Sequence, residues 1–183
     1  MQNPGHGNSS SIGPAAPPRP AIDCGDLDIG IARDGTWSYC GSPITRLPLV
    51  KLFASVLRRE ADGSYWLVTP AERGRIAVDD APFVAVELTA EGQGRDQQLI
   101  FRTNLDDIVT AGPDHPLRVE TAASGEPAPY ILVRRGLEAR LLRAVFYELV
   151  ECADGYQIAG EMQFGVWSNG AFFALGDPGP DWP

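Results

Sequence analysis

Residues 48–63, PLVKLFASVLRREADG, and residues 141–155, LLRAVFYELVECADG, decide how this chain is built. In the first stretch Leu49, Leu52, Phe53, Val56 and Leu57 recur at i, i+3, i+4, i+7 and i+8, the pattern of an amphipathic helix with one buried face. Pro48 sits in the first turn, where a missing N–H costs nothing. In the second stretch Leu142, Val145, Phe146, Leu149 and Val150 repeat the template, each 93 residues after its counterpart (49 to 142, 57 to 150). Both helices run into the same tripeptide, Ala-Asp-Gly, at 61–63 and 153–155.

The flanks match as well. Before the first helix, Leu27, Ile29 and Ile31 alternate up to Asp34-Gly35, and Trp37 and Tyr39 resume beyond it, which predicts a β-hairpin. Strands YWLVT and RIAV follow. Before the second helix, residues 130–141 read as extended chain turning at Arg135-Gly136, and after it Asn169-Gly170 closes another hairpin. Both ends of the chain therefore read hairpin, helix, hairpin. Between them lie alternating strands at 83–89, 98–103, 108–110 and 117–119. The expectation is an α+β protein of two antiparallel-rich subdomains carrying a duplicated motif. Residues 21–78 form a smaller first unit, and 79–176 a β-rich second unit of about six strands with one late helix.

Composition narrows the function. The 183 residues carry a net charge of −9 and 44% hydrophobic side chains. Such a field repels polyanions and anionic membranes, so nucleic acid and membrane surfaces are disfavoured partners. Three cysteines, Cys24, Cys40 and Cys152, without CxxC spacing fit reduced thiols and no zinc site. The stretch MQNPGHGNSSSIGPAAPPRP at 1–20 has no apolar signal region and reads as a disordered tail, and 177–183 as a second one. No apolar run nears the roughly 20 residues that span a bilayer. A soluble, cytoplasmic protein is expected.

The stretches DCGDLDIGIARDGTW (23–37), GSPITRLPLVKLFASVLRRE (41–60), DDAPFVAVE (79–87), FRTNLDDIVTAGPDHPLRVE (101–120) and GVWSNGAFFALG (165–176) together resemble the bacterial family called domain of unknown function 1285. The resemblance covers nearly all of residues 21–176. It implies a duplicated two-subdomain α+β structure whose second subdomain is loosely like a pleckstrin-homology barrel capped by its helix. It also implies a nucleotide-like ligand at the interface of the two halves and a role in signalling.

Few residues read as chemistry. Asp106, Asp107, Asp114 and His115 crowd one stretch, yet Asn, Asp, Gly and Pro there are what two turns require. Adjacent carboxylates on a strand point to opposite faces, so neither Asp79-Asp80 nor Asp106-Asp107 chelates one ion together. Asp79, Asp80, Asn104, Asp106 and His115 all lie at strand ends. Were they to meet on one rim, they could hold Mg²⁺ for a hydrolase. No nucleophile elbow, phosphate loop or haem motif is present, and no cofactor follows from any motif. On the second helix Arg140, Arg143, Tyr147 and Glu151 form a polar stripe, with Arg143 and Tyr147 one turn apart.

The leading expectation is a ligand-binding or sensor protein with its site between the halves. Arg143 and Tyr147 would form one wall, and Thr69, Pro70, Glu72, Asp79, Asp80 and Asn104 the other. The alternatives are a metal-assisted hydrolase of a phosphorylated small molecule and a protein-interaction adaptor. Both helix stripes should be buried. If the ring of Phe146 is fully enclosed, Phe146→Ala costs about 3–5 kcal/mol in chemical denaturation.

Overall fold

The structure is a computed structural model that describes residues 21–122 and 125–176. The tails expected at 1–20 and 177–183 lie outside the described residues. The fold is α+β, as the pattern predicts, and it is assembled from three-stranded meanders.

Strands β1 (Ile22–Ile31), β2 (Trp37–Tyr39) and β3 (Ser42–Pro43) make the first meander, and β4 (Leu57–Arg59), β5 (Tyr65–Val68) and β6 (Glu72–Val78) the second. Helix α1 (Leu47–Val56) joins them. The two meanders zip into one six-stranded sheet where β1 pairs β6 in parallel, in the order β3-β2-β1-β6-β5-β4.

A second sheet repeats this plan. It contains β7 (Phe83–Glu91), β8 (Gln98–Thr103), β9 (Ile108–Thr110), β10 (Leu117–Thr121), β11 (Pro127–Arg134) and β12 (Leu137–Leu141). Its order is β10-β11-β12-β7-β8-β9, again with one parallel junction, β12 to β7. Helix α2 (Arg143–Glu151) then leads to a separate three-stranded sheet of β13 (Asp154–Ile158), β14 (Glu161–Ser168) and β15 (Ala171–Gly176). The second half thus has nine described strands where about six were expected, because β10 to β15 supply two complete meanders.

The turns follow backbone chemistry. Asn169 and Gly170 have φ of 47° and 74°, and Arg135 and Gly136 have 44° and 77°, the left-handed pair that matches strand twist in a tight hairpin. At the β1–β2 turn the Asp34 carboxylate accepts the Thr36 N–H at 2.9 Å.

One core runs through both halves. Ile31, Trp37, Val50, Ala54 and Leu57 pack continuously with Phe83, Leu105, Leu137, Val145 and Leu149. Trp37 stacks on Phe53 with ring centroids 6.2 Å apart.

The helix stripes need correction. In α1 the buried residues are Val50 and Ala54, with Phe53 and Val56 half-buried, whereas Leu52 is 61% exposed. The helix LPLVKLFASV is apolar on nearly every side, so hydrophobicity alone does not fix which face turns inward. The line Val50, Phe53, Ala54, Leu57 satisfies the spacing equally well and is the one the core receives. In α2 Val145 and Leu149 are buried and Phe146 and Val150 half-buried, while Leu142, at the N-cap, is 41% exposed.

The full-burial cost therefore does not apply to Phe146. It applies to Leu149, which has no exposed surface. Leu149→Ala should lower unfolding free energy by about 2–5 kcal/mol through lost transfer energy and a residual cavity. Leu52→Ala should stay within about 0.5 kcal/mol of wild type. Equal losses in urea denaturation would contradict the burial of these faces.

Candidate functional site

The residues expected to converge are spread over separate places, and most are engaged in holding the fold. Thr69 and Glu72 close the β5–β6 turn: the Thr69 hydroxyl donates to the Glu72 carbonyl and accepts its N–H, both at 3.0 Å. Pro70 lies within that turn. Asp79 borders a depression on the first half with Asp26 and Arg75.

Asp80 is mostly buried. It accepts the Tyr130 hydroxyl at 2.8 Å and faces Arg33 at 3.2 Å and Arg140 at 3.4 Å. Asn104 is a fastening between strands. Its side-chain oxygen accepts the Val84 N–H at 3.0 Å, and its amide donates to the Gly35 carbonyl at 3.4 Å. This contact also explains Gly35, where a Cβ would lie 2.6 Å from the Asn104 amide nitrogen.

The turn cluster resolves in the same way. Asp106, at φ 65°, takes the Lys51 ammonium at 2.6 Å and Arg102 at 3.3 Å, and the lysine holds its carboxyl below the ordinary range. His115 Nδ1 lies 2.9 Å from the Leu132 carbonyl. Among the described residues no three His, Cys, Asp or Glu side chains come together in a metal-ligating group. The geometric premise of the Mg²⁺ rim is therefore not met by these side chains.

Arg143 and Tyr147 do meet, with Arg143 Nε donating to the Tyr147 hydroxyl at 3.0 Å. The cleft beside them is lined by Glu126, Pro127, Pro129, Arg140, Leu141 and Phe146, all from the second half. This corrects the expected placement on a wall facing the first half. The buried face of α2 packs on β7, so its polar stripe looks outward past the β10–β11 loop.

The groove between the halves lies elsewhere. One wall is α1 and the start of β4, with Lys51, Ala54, Ser55 and Arg58. The other is the β8–β9 and β11–β12 turns, with Leu105, Asp107, Arg134, Arg135 and Leu137. Its volume is about 430 Å³. Four cations face one another there across a single lining carboxylate.

Two of those cations are committed to structure. Lys51 holds Asp106, and Arg134 donates to Asp107 at 2.7 Å and to the Ala54 carbonyl at 3.2 Å. Among the described residues Arg58 donates to backbone carbonyls, of Leu57 at 2.7 Å and Ser55 at 3.3 Å, and pairs with no carboxylate. Arg135, exposed at the hairpin tip, has no carboxylate partner among the described residues. A small anion placed here would neutralise uncompensated charge and accept bidentate guanidinium bonds.

Sequence reading missed this set because Arg58, Arg134 and Arg135 look like ordinary solvated arginines. One signal was available. An Arg-Gly pair occupies a tight turn that ordinarily takes Asn-Gly or Asp-Gly.

The folding plan and the groove define a class, a two-half α+β protein of repeated meanders with a cationic cleft at the junction. Residues 17–81 match the family model described as domain of unknown function DUF1285, N-terminal domain, and residues 82–175 the one described as protein of unknown function DUF1285, C-terminal domain. The chain belongs to the DUF1285 family. It resembles the crystal structure of a DUF1285 family protein from Silicibacter pomeroyi DSS-3, with 48% identity and a TM-score of 0.79 over 85% of this chain and 83% of that one. It also resembles one from Shewanella baltica OS155, with 28% identity and a TM-score of 0.54 over 68% of this chain and 91% of that one. No curated protein matches. No helix among the described residues is long and apolar enough to cross a membrane.

The Asp80 site gives a pH test. Burial, then the hydrogen bond to Asp80, pushes the Tyr130 phenol up to about 12. The folded state therefore favours the protonated phenol. Its stabilisation is complete below the ordinary value of about 10 and is lost as pH rises through 12. In an absorbance titration of tyrosinate, Tyr130 should be the last phenol to ionise, and Tyr130→Phe should remove that phase. Ionisation of every tyrosine near pH 10 in the folded protein would contradict this environment.

Proposed function

We propose that the protein binds a small anionic ligand, bearing phosphate or carboxylate groups and including nucleotide-like molecules, in the groove between its halves. One observation carries the reading. In a chain of net charge −9, Lys51, Arg58, Arg134 and Arg135 line a single groove that both halves build. Concentrating cations there opposes the overall field, as retention of an anion requires. Because each half supplies one wall, a bound anion would tie the halves more firmly together. That coupling gives a physical basis for a sensor whose partner reads the junction. A cytoplasmic setting fits the three unpaired cysteines.

The hydrolase alternative loses support because Asp80 and Asp106 are engaged by arginine, lysine and tyrosine partners and no three metal-ligating side chains come together among the described residues. The adaptor alternative has one favourable feature. Half-buried Tyr156, Trp167 and Phe172 cluster edge to face, with the Arg95 guanidinium 4.6 Å over the Trp167 ring.

Calorimetric titration with pyrophosphate and with ADP at low salt tests the reading. Wild type should bind at least one of them saturably. Arg135→Ala should weaken that binding by about 1.5–3 kcal/mol, the worth of hydrogen bonds to a charged group, while the circular dichroism spectrum stays unchanged because Arg135 is exposed. Unaltered affinity in this variant, or no saturable binding of either anion, would overturn the proposal.

A further inference from the structure

The repeated architecture differs between the halves at one seam. In the first half, β1 and β6, the opening and closing strands of the meanders around α1, pair in parallel and shut the structure. Their counterparts around α2 are β10 and β15. These run side by side, yet they belong to different sheets and form no ladder with each other. In the first half the corresponding space between β1, α1 and β6 is smaller, about 210 Å³, and Leu27 packs so closely on Gly74 that a Cβ there would sit 2.5 Å from it.

The unzipped seam opens into an apolar groove of two lobes. One, about 440 Å³, lies between β10, α2 and β15, over Val119, Val150, Phe164 and Leu175. The other, about 360 Å³, is the cleft at Arg143 and Tyr147. Phe146 and Pro127 line both, so the lobes adjoin. Half-burial of Phe146, in place of the full burial its helical position predicts, reflects this groove.

The charged groups of the smaller lobe are Arg140 of β12, Arg143 at the start of α2 and Glu126 of the β10–β11 loop. Asp80 faces Arg140, whereas the Arg143 side chain is 78% exposed, and the ion-pair partner seen for it is Glu126, at 3.9 Å. The Tyr147 hydroxyl accepts Arg143 Nε at 3.0 Å, which orients the guanidinium beside the cleft. The charged lining residue of the larger lobe, Glu120, is paired with Arg118. An apolar trough beside an exposed guanidinium suits an apolar body that carries one anionic group.

We propose that this groove binds an amphipathic monoanion, an aliphatic carboxylate. Its carboxylate pairs with Arg143, and its chain lies across Phe146 into the seam between β10 and β15. The site is separate from the groove between the halves and takes a different chemistry, one charge and a long apolar body.

The test is calorimetry with decanoate, below its micelle concentration, against decyltrimethylammonium as the chain-matched cation. Wild type should bind decanoate saturably near one equivalent and the cation at least tenfold more weakly. Arg143→Gln, a surface change that spares the core, should weaken decanoate at least fivefold while leaving any pyrophosphate binding at the other groove unaltered. Absence of saturable decanoate binding, equal affinity for the cation, or wild-type affinity in Arg143→Gln would each overturn the assignment.

Discussion

The guanidinium of Arg134 is the contact on which the junction turns. It leaves the end of β11 and lies 4.8 Å over the Phe83 ring of β7. It donates to Asp107 of the β8–β9 turn and reaches the Ala54 carbonyl near the C-terminal end of α1. A cation at a helix C-terminus is favoured by the partial negative charge of the free carbonyls, and α1 has no basic residue of its own in its last turn. Because both Arg134 and Asp107 are partly buried, removing one leaves the other desolvated and unpaired, a larger loss than an exposed pair would suffer. The contact fixes where the first half's helix sits on the second half's sheet, and hence the width of the groove beside it.

Around this clamp charge is distributed unevenly. Exposed pairs such as Lys51 with Asp106 and Arg102 with Glu87 contribute little to stability, since water and salt screen them. Their effect is on placement: Lys51 and Arg102 both hold the Asp106 carboxylate at the β8–β9 turn. The same economy governs Asp80. Its arginine and tyrosine partners make it part of a structural network across the strands and leave it no free face for a metal or substrate. Among the described residues Arg46, Arg58, Arg75, Arg95 and Arg135 form no carboxylate ion pair, and what sets Arg58 and Arg135 apart is that they meet in one groove with Lys51 and Arg134.

Much of this architecture is legible in the residues. The duplicated helix pattern, the Asp-Gly, Arg-Gly and Asn-Gly turns and the strands at 83–89 and 98–103 all correspond to observed elements. Three things were not legible, each for a physical reason. The inward face of α1 is ambiguous because nearly every side of LPLVKLFASV is apolar. The parallel junctions of β1 with β6 and β12 with β7 are contacts between strands distant in sequence, which local pattern does not encode. The site residues escaped because an arginine's role depends on which carboxylate reaches it. Asn104, read as a turn former, fastens Val84 and Gly35 instead, and Asp79, Thr69 and Glu72 stay on the first half's own surface.

The account's central claim is that both halves contribute to one anion site. The most direct measurement is a two-dimensional nuclear magnetic resonance titration with pyrophosphate, observing backbone amides and arginine side-chain N–H signals together. The account predicts concerted, saturable shifts at Ser55 and Arg58 from the first half and at Arg134, Arg135 and Leu137 from the second, with one common dissociation constant. Shifts confined to one half, or absent from the Arg135 turn while appearing elsewhere, would contradict it.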